Sequence, residues 1–555
     1  FFSTTQTSSS VLSSSSSMAS AGSQVISRVR QTVAAQPLLA LGLSNLATAF
    51  LFFYLKARES GGLKKVLVRW VFKLFMRTAK LVAKGTVDNE TEKLAKKTKE
   101  MILEKVTGVR YQELPEKGMP KDQLVAKLKE ESAQETKWRK GQVSGTVYHG
   151  GEEATEIVVE AFRAFAVSNP LHPDVFPFVR KMEAEVVQMC CNMFHGGEGA
   201  CGTMTSGGTE SILMAVKTYR DWAKIEKGVT EPELIRCKSA HAAFDKACHY
   251  LGVKLVEVDF DPETFQVDVA QVRKMVNKNT ICIVGSALTY PQGVMDDVAA
   301  LGKIALKANV GLHVDNCLGS LLLAFMPDAG YPVEAFDFAV PGVTSISADT
   351  HKYGFAPKGS SVALYSTVAL RQHQYFVAPD WSGGIYATPA VAGSRPGALI
   401  AGTWAAMMYM GREGYIDSAK AIMKASRAIK AGVQTIPDLK LQGESAMSVV
   451  CFAPKNPSKL NIFNVGDAMT NRGWSLAMLQ FPASIHICVT MVHTRDGIDV
   501  KFINDLRDAV QDVQTAPKGK FKDGMGAIYG MAESIPDRSM VDNLAKDYID
   551  ALYTA

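Results

Sequence analysis

The 555-residue chain is 47% hydrophobic and carries a formal net charge of +6, so it can bury cores in several structural units and gives no ground for a nucleic-acid partner. Its nine cysteines include the adjacent Cys190 and Cys191 but form no CxxC pair and no His/Cys cluster at zinc spacing. Reduced, mostly buried thiols are expected, with neither a disulfide framework nor a metal site.

Residues 1–36 are Ser/Thr-rich, and the first acidic residue is Glu59; this stretch reads as disordered or as a targeting leader. Residues 37–55, PLLALGLSNLATAFLFFYL, are nineteen uncharged and mainly apolar positions, the length of a single transmembrane helix. A signal peptide has a shorter apolar region, and a transit peptide is the other rival. Lys56, Arg58, Lys64, Lys65 and Arg69 outnumber Arg28 and Arg30, which puts the C-terminal side in the cytosol. Beyond the span, Arg69, Lys73, Arg77, Lys80 and Lys84 make one helical stripe, suited either to anionic lipid or to solvent.

Residues 56–170 read as an N-terminal helical segment, with a Lys/Glu-rich helical stretch over 86–140. Residues 171–400 read as a large domain, because between about 195 and 370 short β-rich runs (Ile281–Val284, Leu312–Val314) alternate with helical ones (Ser211–Trp222, Val298–Lys307). That alternation predicts an α/β fold with a mainly parallel sheet. Residues 401–555 read as a smaller C-terminal α+β domain: a long helix over roughly 401–430, strand-like pieces at Met447–Phe452 and Ile485–Met491, then more helix.

Three motifs in the large domain carry chemistry. TSGGTES (Thr205–Ser211) precedes the helical run ILMAVKTYRDW; its glycines allow close backbone approach, and a helix start favours a phosphate. It lacks the GKS or GKT of a Walker loop, and a glycine turn before a helix is often structural. In LHVDNC, Asp315 falls just past an expected strand, where open α/β sheets place ligand-binding groups; taken alone it reads as a turn or capping aspartate. In SISADTHKYG (345–354), Asp349, Thr350, His351 and Lys352 end a β-rich run. A lysine there suits imine formation if its surroundings lower the amine pKa, since only the neutral amine attacks a carbonyl. His351 can donate to a phosphate or move protons. The order of the three motifs says more than any one of them.

That order, with His241 in SAHAAFDKA between the first and second, resembles the fold-type I pyridoxal phosphate (PLP) enzymes of the group II decarboxylase family. VSGTVYHG (143–150), NPLHPDVFPFVRKMEAEVV (169–187), SADTHKYGFAPKGSS (347–361), GGIYATPAVAGSRPG (383–397) and GMGAIYGMA (524–532) extend the resemblance over nearly everything after residue 55. It implies a PLP-dependent transferase-like fold, with Lys352 holding the cofactor as a Schiff base, Asp315 on its pyridine nitrogen and His241 stacked on its ring. Gly208, Thr209 and His351 would bind its phosphate. Tyr148, His172 and Lys358 would hold or act on a substrate phosphate, with Lys358 a catalytic assistant.

The branch it resembles cleaves the C2–C3 bond of phosphorylated long-chain (sphingoid) bases in a retro-aldol reaction, giving an aldehyde and phosphoethanolamine. The resemblance also implies a homodimer, with GSRPG (393–397) and Tyr386 offered to the neighbouring subunit, and an endoplasmic reticulum membrane address. Phe355, Asn316 and TYPQG (289–293) depart from the family's usual residues and bear on substrate positioning. Two rivals share the cofactor residues or the anchor: an amino-acid decarboxylase, and a membrane-tethered scaffold without catalysis.

Overall fold

The computed structural model describes residues 108–517, 520–521 and 538–554, with the isolated positions 96, 99, 100 and 103. The expected leader and anchor at 1–55, the basic stripe at 69–84 and the stretch 524–532 lie outside the described residues. Among the described residues, no helix is long and apolar enough to cross a membrane.

Seven short strands build the central sheet: β1 (Cys201–Thr205), β2 (Glu233–Cys237), β3 (Lys254–Val258), β4 (Thr280–Ser286), β5 (Gly311–Asp315), β6 (Ser345–Ala348) and β7 (Ser361–Tyr365). Their order is β1-β7-β6-β5-β4-β2-β3. The run β3-β2-β4-β5-β6 is parallel, and β7 lies antiparallel between β6 and β1. Every residue of β4, β5 and β6 is buried, as expected where helices cover both faces of a parallel sheet. The helix Gly208–Lys227 lengthens the predicted one at both ends, and Val298–Ala308 matches the other to within one residue. In the second, Asp297 accepts from the Ala300 N–H and Asn309 closes the helix in a left-handed conformation.

Asp315 is the last residue of β5 rather than the first beyond it, registered opposite Ser286 and Ser347. Ladder pairing on both sides holds it in line.

β8 (Phe376–Ala378) and β9 (Tyr386–Thr388) form a hairpin. The expected boundary at 400/401 falls inside one helix, Gly397–Gln434, interrupted at Gly411 (φ 56°, ψ −179°). The helix starts earlier than the pattern suggested because Pro396 occupies its N-cap, where a ring-fixed φ is tolerated. It leads into a four-stranded antiparallel sheet of β10 (Leu439–Leu441), β11 (Val449–Pro454), β12 (Ala477–Leu479) and β13 (Ser484–Cys488), in the order β10-β11-β13-β12. The expected strand at 485–491 therefore stops at Cys488, and Met491–Thr494 form a 3-10 turn.

Of the stretch expected to be helical over 86–140, the described residues are helical at 96, 99, 100 and 103 and over Lys121–Ala133, irregular over 108–120, and in turns after Ala133. Residues 143–148 do not belong to an independent N-terminal segment. They form a strap on the C-terminal sheet: Val143 bridges Ser475, Ser144 N donates to Ser475 O at 2.8 Å, and His493 Nε2 meets Val143 O at 2.7 Å. All of this lies in the compact unit Pro120–Glu533. The helix Arg538–Leu552, part of the other unit, carries a Lys546–Asp542 ion pair at 2.7 Å, one helical turn apart.

Candidate active site

β6 delivers the turn Asp349–Lys352. Lys352 Nζ lies 2.9 Å from Asp349 Oδ2, and His351 Nε2 lies 3.7 Å from the same oxygen. Asp349 is 2% exposed, and its other oxygen, Oδ1, is buried without a hydrogen-bond partner among the described residues. Burial lowers the Lys352 pKa, but the Asp349 carboxylate, with Cys317 and Asp315 behind it, more than offsets this and holds the amine above its ordinary range. The lowered amine pKa that imine formation would call for is therefore not what surrounds Lys352. The proton must leave first, and Asp349 Oδ2 is placed to take it. His351 is pushed the other way by burial, below the ordinary histidine range, against the opposing pull of Asp349.

Asp315 is held from behind by buried polar groups. Its Oδ1 accepts from Cys317 N at 3.0 Å and Ser347 Oγ at 3.2 Å. Ser347 Oγ meets His313 Nε2 at 3.1 Å, His313 Nδ1 meets Ser345 Oγ at 2.8 Å, and Ser345 Oγ meets the Tyr219 hydroxyl at 2.6 Å. Burial drives the His313 pKa down to about 4, so this imidazole is neutral at pH 7 and relays orientation rather than charge.

The phosphate turn faces this pair. Ser206–Thr209 leads into the helix Gly208–Lys227, whose first N–H groups have no intrahelical partner and whose dipole favours an anion. Glu210 fastens the turn, accepting from Ser206 N at 2.6 Å and Val391 N at 2.9 Å. A Cβ at Gly207 would lie 3.6 Å from His351 Cε1; at Gly208 it would lie 2.7 Å from Cys317 Sγ and 2.8 Å from Asp349 Oδ1. Glycine turn, Asp349, His351 and the loop after Asp315 thus converge in one place. Gly208→Ala is expected to lower cofactor affinity at least about tenfold, since contacts this short force the turn or Asp349 to move; titration of the purified apoprotein with PLP measures it.

On the opposite side, Lys358 Nζ sits 4.7 Å above the Tyr148 ring, and Tyr148 packs edge-on against Tyr353 at 4.8 Å between centroids. Burial, then the Lys352 charge, bring the Lys358 pKa down to about 8. His241 lies in the exposed loop after β2, its Nδ1 accepting from Ala243 N at 3.0 Å. His172 is exposed, and among the described residues no hydrogen bond or ion pair joins its side chain to Tyr148 or Lys358. Its turn is fastened instead to the 393–397 loop, through Asn169 to Ser394 at 3.1 Å and Arg395 N at 3.2 Å.

Sequence reasoning assigned no role to Asp349, although its spacing three before Lys352 is visible in DTHK. Nor did it find His313, Ser347, Tyr353 or Cys488, whose significance comes from contacts across the fold.

A half-buried lysine paired with a buried aspartate, a second aspartate at the end of a parallel strand and a glycine turn at a helix start together define a PLP-type α/β enzyme site. Residues 113–455 match the model of the pyridoxal-dependent decarboxylase conserved domain. Sphingosine-1-phosphate lyase 1 of Mus musculus is 45% identical over 489 residues, 88% of this chain and 85% of the mouse protein. The solved structure of a Burkholderia pseudomallei sphingosine-1-phosphate lyase superposes with a TM-score of 0.71 at 42% identity, covering 73% of this chain and 94% of the bacterial one. A Lactobacillus brevis glutamate decarboxylase superposes at 0.64 with 20% identity, over 75% of this chain and 97% of that one, and shares the fold. The chain belongs to the pyridoxal-dependent decarboxylase family, in its sphingosine-1-phosphate lyase branch.

The cofactor is PLP, and the residues present fit it. Lys352 offers an amine to its aldehyde and Asp315 an anion to its ring nitrogen. The glycine turn and His351 offer donors to its phosphate. The partnerless Asp349 Oδ1, beside the space that glycine leaves at 208, is a buried polar atom of the kind a bound group satisfies.

Proposed function

We propose that the protein cleaves the C2–C3 bond of sphingosine 1-phosphate and related phosphorylated sphingoid bases, yielding a long-chain aldehyde and phosphoethanolamine. The observation that carries this reading is the Lys358–Tyr148 pair, a cation 4.7 Å above a phenol ring beside the lysine–aspartate turn, which a phosphate-bearing substrate needs and a plain amino acid does not. Bound PLP supplies the electron sink for the carbanion character that bond cleavage leaves on the substrate. In our reading Lys352 holds the cofactor, Asp315 fixes its ring nitrogen, and His241 lies over its ring. Gly208, Thr209 and His351 hold its phosphate, while Tyr148 and Lys358 hold the substrate's.

The working enzyme is in our reading a homodimer, anchored through residues 37–55 in the endoplasmic reticulum membrane with its catalytic body in the cytosol. Phe376, Trp381, Ile385 and Val391 leave an apolar surface on and around the β8–β9 hairpin, which supports burial against a second copy. Because Asn169 ties the His172 turn to the 393–397 loop, His172, GSRPG and Tyr386 would reach the neighbouring subunit's site together.

Incubation with sphingosine 1-phosphate should release phosphoethanolamine and aldehyde; carbon dioxide from a free amino acid instead would transfer the protein to the decarboxylases. With the Lys358 pKa near 8 and the ammonium as the phosphate-binding form, kcat/KM should fall as pH rises through about 8. Burial, the larger cause, persists whatever charge Lys352 carries. Lys358→Arg keeps the cation at all accessible pH values, so that alkaline limb should move up or vanish in a pH profile of kcat/KM, which reports the free enzyme.

A further inference from the structure

The side of the site formed by the C-terminal sheet carries a chain of hydroxyl and thiol groups outside the roles assigned above. Cys488, 4% exposed, ends β13. Its Sγ lies 3.4 Å from the Tyr353 hydroxyl and on the side of the site where the Tyr148 hydroxyl also lies. Tyr353, next in sequence to Lys352, donates to Val489 O at 2.7 Å and meets Ser448 Oγ.

The backbone bearing Tyr148 is sewn to the same strand end. Gly145 N donates to Cys488 O at 2.9 Å, Cys488 N to Ser144 Oγ at 2.9 Å, Thr490 Oγ1 to Val147 O at 2.8 Å, and Met491 N to Tyr148 O at 3.0 Å. A Cβ at Gly145 would fall 3.6 Å from the Tyr148 hydroxyl oxygen and 3.7 Å from Cys488 Sγ, so strap, phenol and thiol are in close contact.

We propose that Cys488 is a positioning residue for the lyase reaction: its thiol aims the hydroxyl of Tyr148, and Tyr353 aims the thiol, registering the substrate-binding phenol to the Lys352 turn through the C-terminal sheet. The direction follows from proton supply. With the Tyr353 proton committed to Val489 O and the Ser448 hydroxyl beside its oxygen, the thiol can give its S–H to the Tyr148 oxygen, which leaves the phenol's own proton for the substrate phosphate. Burial pushes the Cys488 thiol up, so the S–H this chain needs is retained at neutral pH. A phenol that rotates freely would still bind phosphate, but less often in the geometry for reaction.

This inference rests on the function proposed above, and the experiment separates the two. In the full-length holoenzyme, Cys488→Ala should lower kcat about tenfold with KM within about twofold, as expected for misorientation rather than lost binding. The visible absorbance and PLP affinity should match wild type. Cys488→Ser, which keeps a donor and an acceptor, should recover kcat to within about threefold of wild type. Tyr353→Phe should lower kcat comparably, and the Tyr353→Phe/Cys488→Ala double variant should lose much less than the product of the two losses. Wild-type kinetics in Cys488→Ala, loss of PLP along with activity, or a serine variant no better than alanine would each overturn the assignment. Wild-type protein that releases no phosphoethanolamine would overturn the functional reading beneath it.

Discussion

Replacing Lys352 by alanine is expected to remove the visible absorbance of PLP-supplemented protein and to lower sphingosine 1-phosphate cleavage by at least about three orders of magnitude, the scale on which covalent machinery fails when its nucleophile is deleted. The expectation rests on geometry: this amine is 2.9 Å from Asp349 Oδ2, beside a glycine turn whose missing Cβ leaves space against the same carboxylate. Burial disfavours the ammonium form of Lys352, and the paired Asp349 carboxylate more than offsets this in the resting site. Alanine would leave Asp349 a buried, unpaired carboxylate, so some loss of stability accompanies the chemical loss. Asp349→Asn is the useful control. It keeps Lys352 and the shape of the turn, so absorbance retained there and lost in Lys352→Ala assigns the band to the lysine itself. A visible band that survives in Lys352→Ala would remove this residue from the site.

Much of the site was legible because its parts follow strand ends. β4, β5 and β6 are buried along their whole length and hold no Asp, Glu, Lys or Arg before Asp315, so an acidic or basic residue at the end of such a run stands out. Asp315 and the Asp349–Lys352 turn were found that way. The glycine turn was visible because close approach leaves little choice of residue at Gly208. What could not be read was anything that depends on which distant segments touch. Nothing in VSGTVYHG says that Ser144, Gly145 and Val147 will bond to the end of β13, and Cys488 looks like any other buried thiol until Tyr148 and Tyr353 arrive beside it. The direction of the Lys352 pKa was likewise hidden, since burial and an acidic neighbour pull it oppositely and only their distances decide. The expected boundary at 400/401 falls inside a helix because the chain is already helical from Gly397 and is interrupted only at Gly411.

Asp315→Asn should lower kcat roughly a thousandfold, about 4 kcal/mol of barrier, while PLP still binds and still reacts with Lys352. Asparagine preserves the shape, and its carbonyl oxygen can still accept from Cys317 N and Ser347 Oγ, now 3.0 and 3.2 Å from Asp315 Oδ1. What it removes is the negative charge offered to the ring nitrogen, and with it the protonation that makes the ring an effective electron sink. The neutral His313 behind Ser347, its pKa near 4, cannot replace that charge. Removing the support instead of the charge should have a smaller effect. Ser347→Ala leaves Asp315 ionised and still fixed by Cys317 N, so a loss of roughly tenfold is expected from misorientation alone. Steady-state kinetics with absorbance spectra for both variants separate the two contributions: a Ser347→Ala loss as large as that of Asp315→Asn would make the buried hydrogen-bond chain, rather than the carboxylate, the feature on which the electron sink depends.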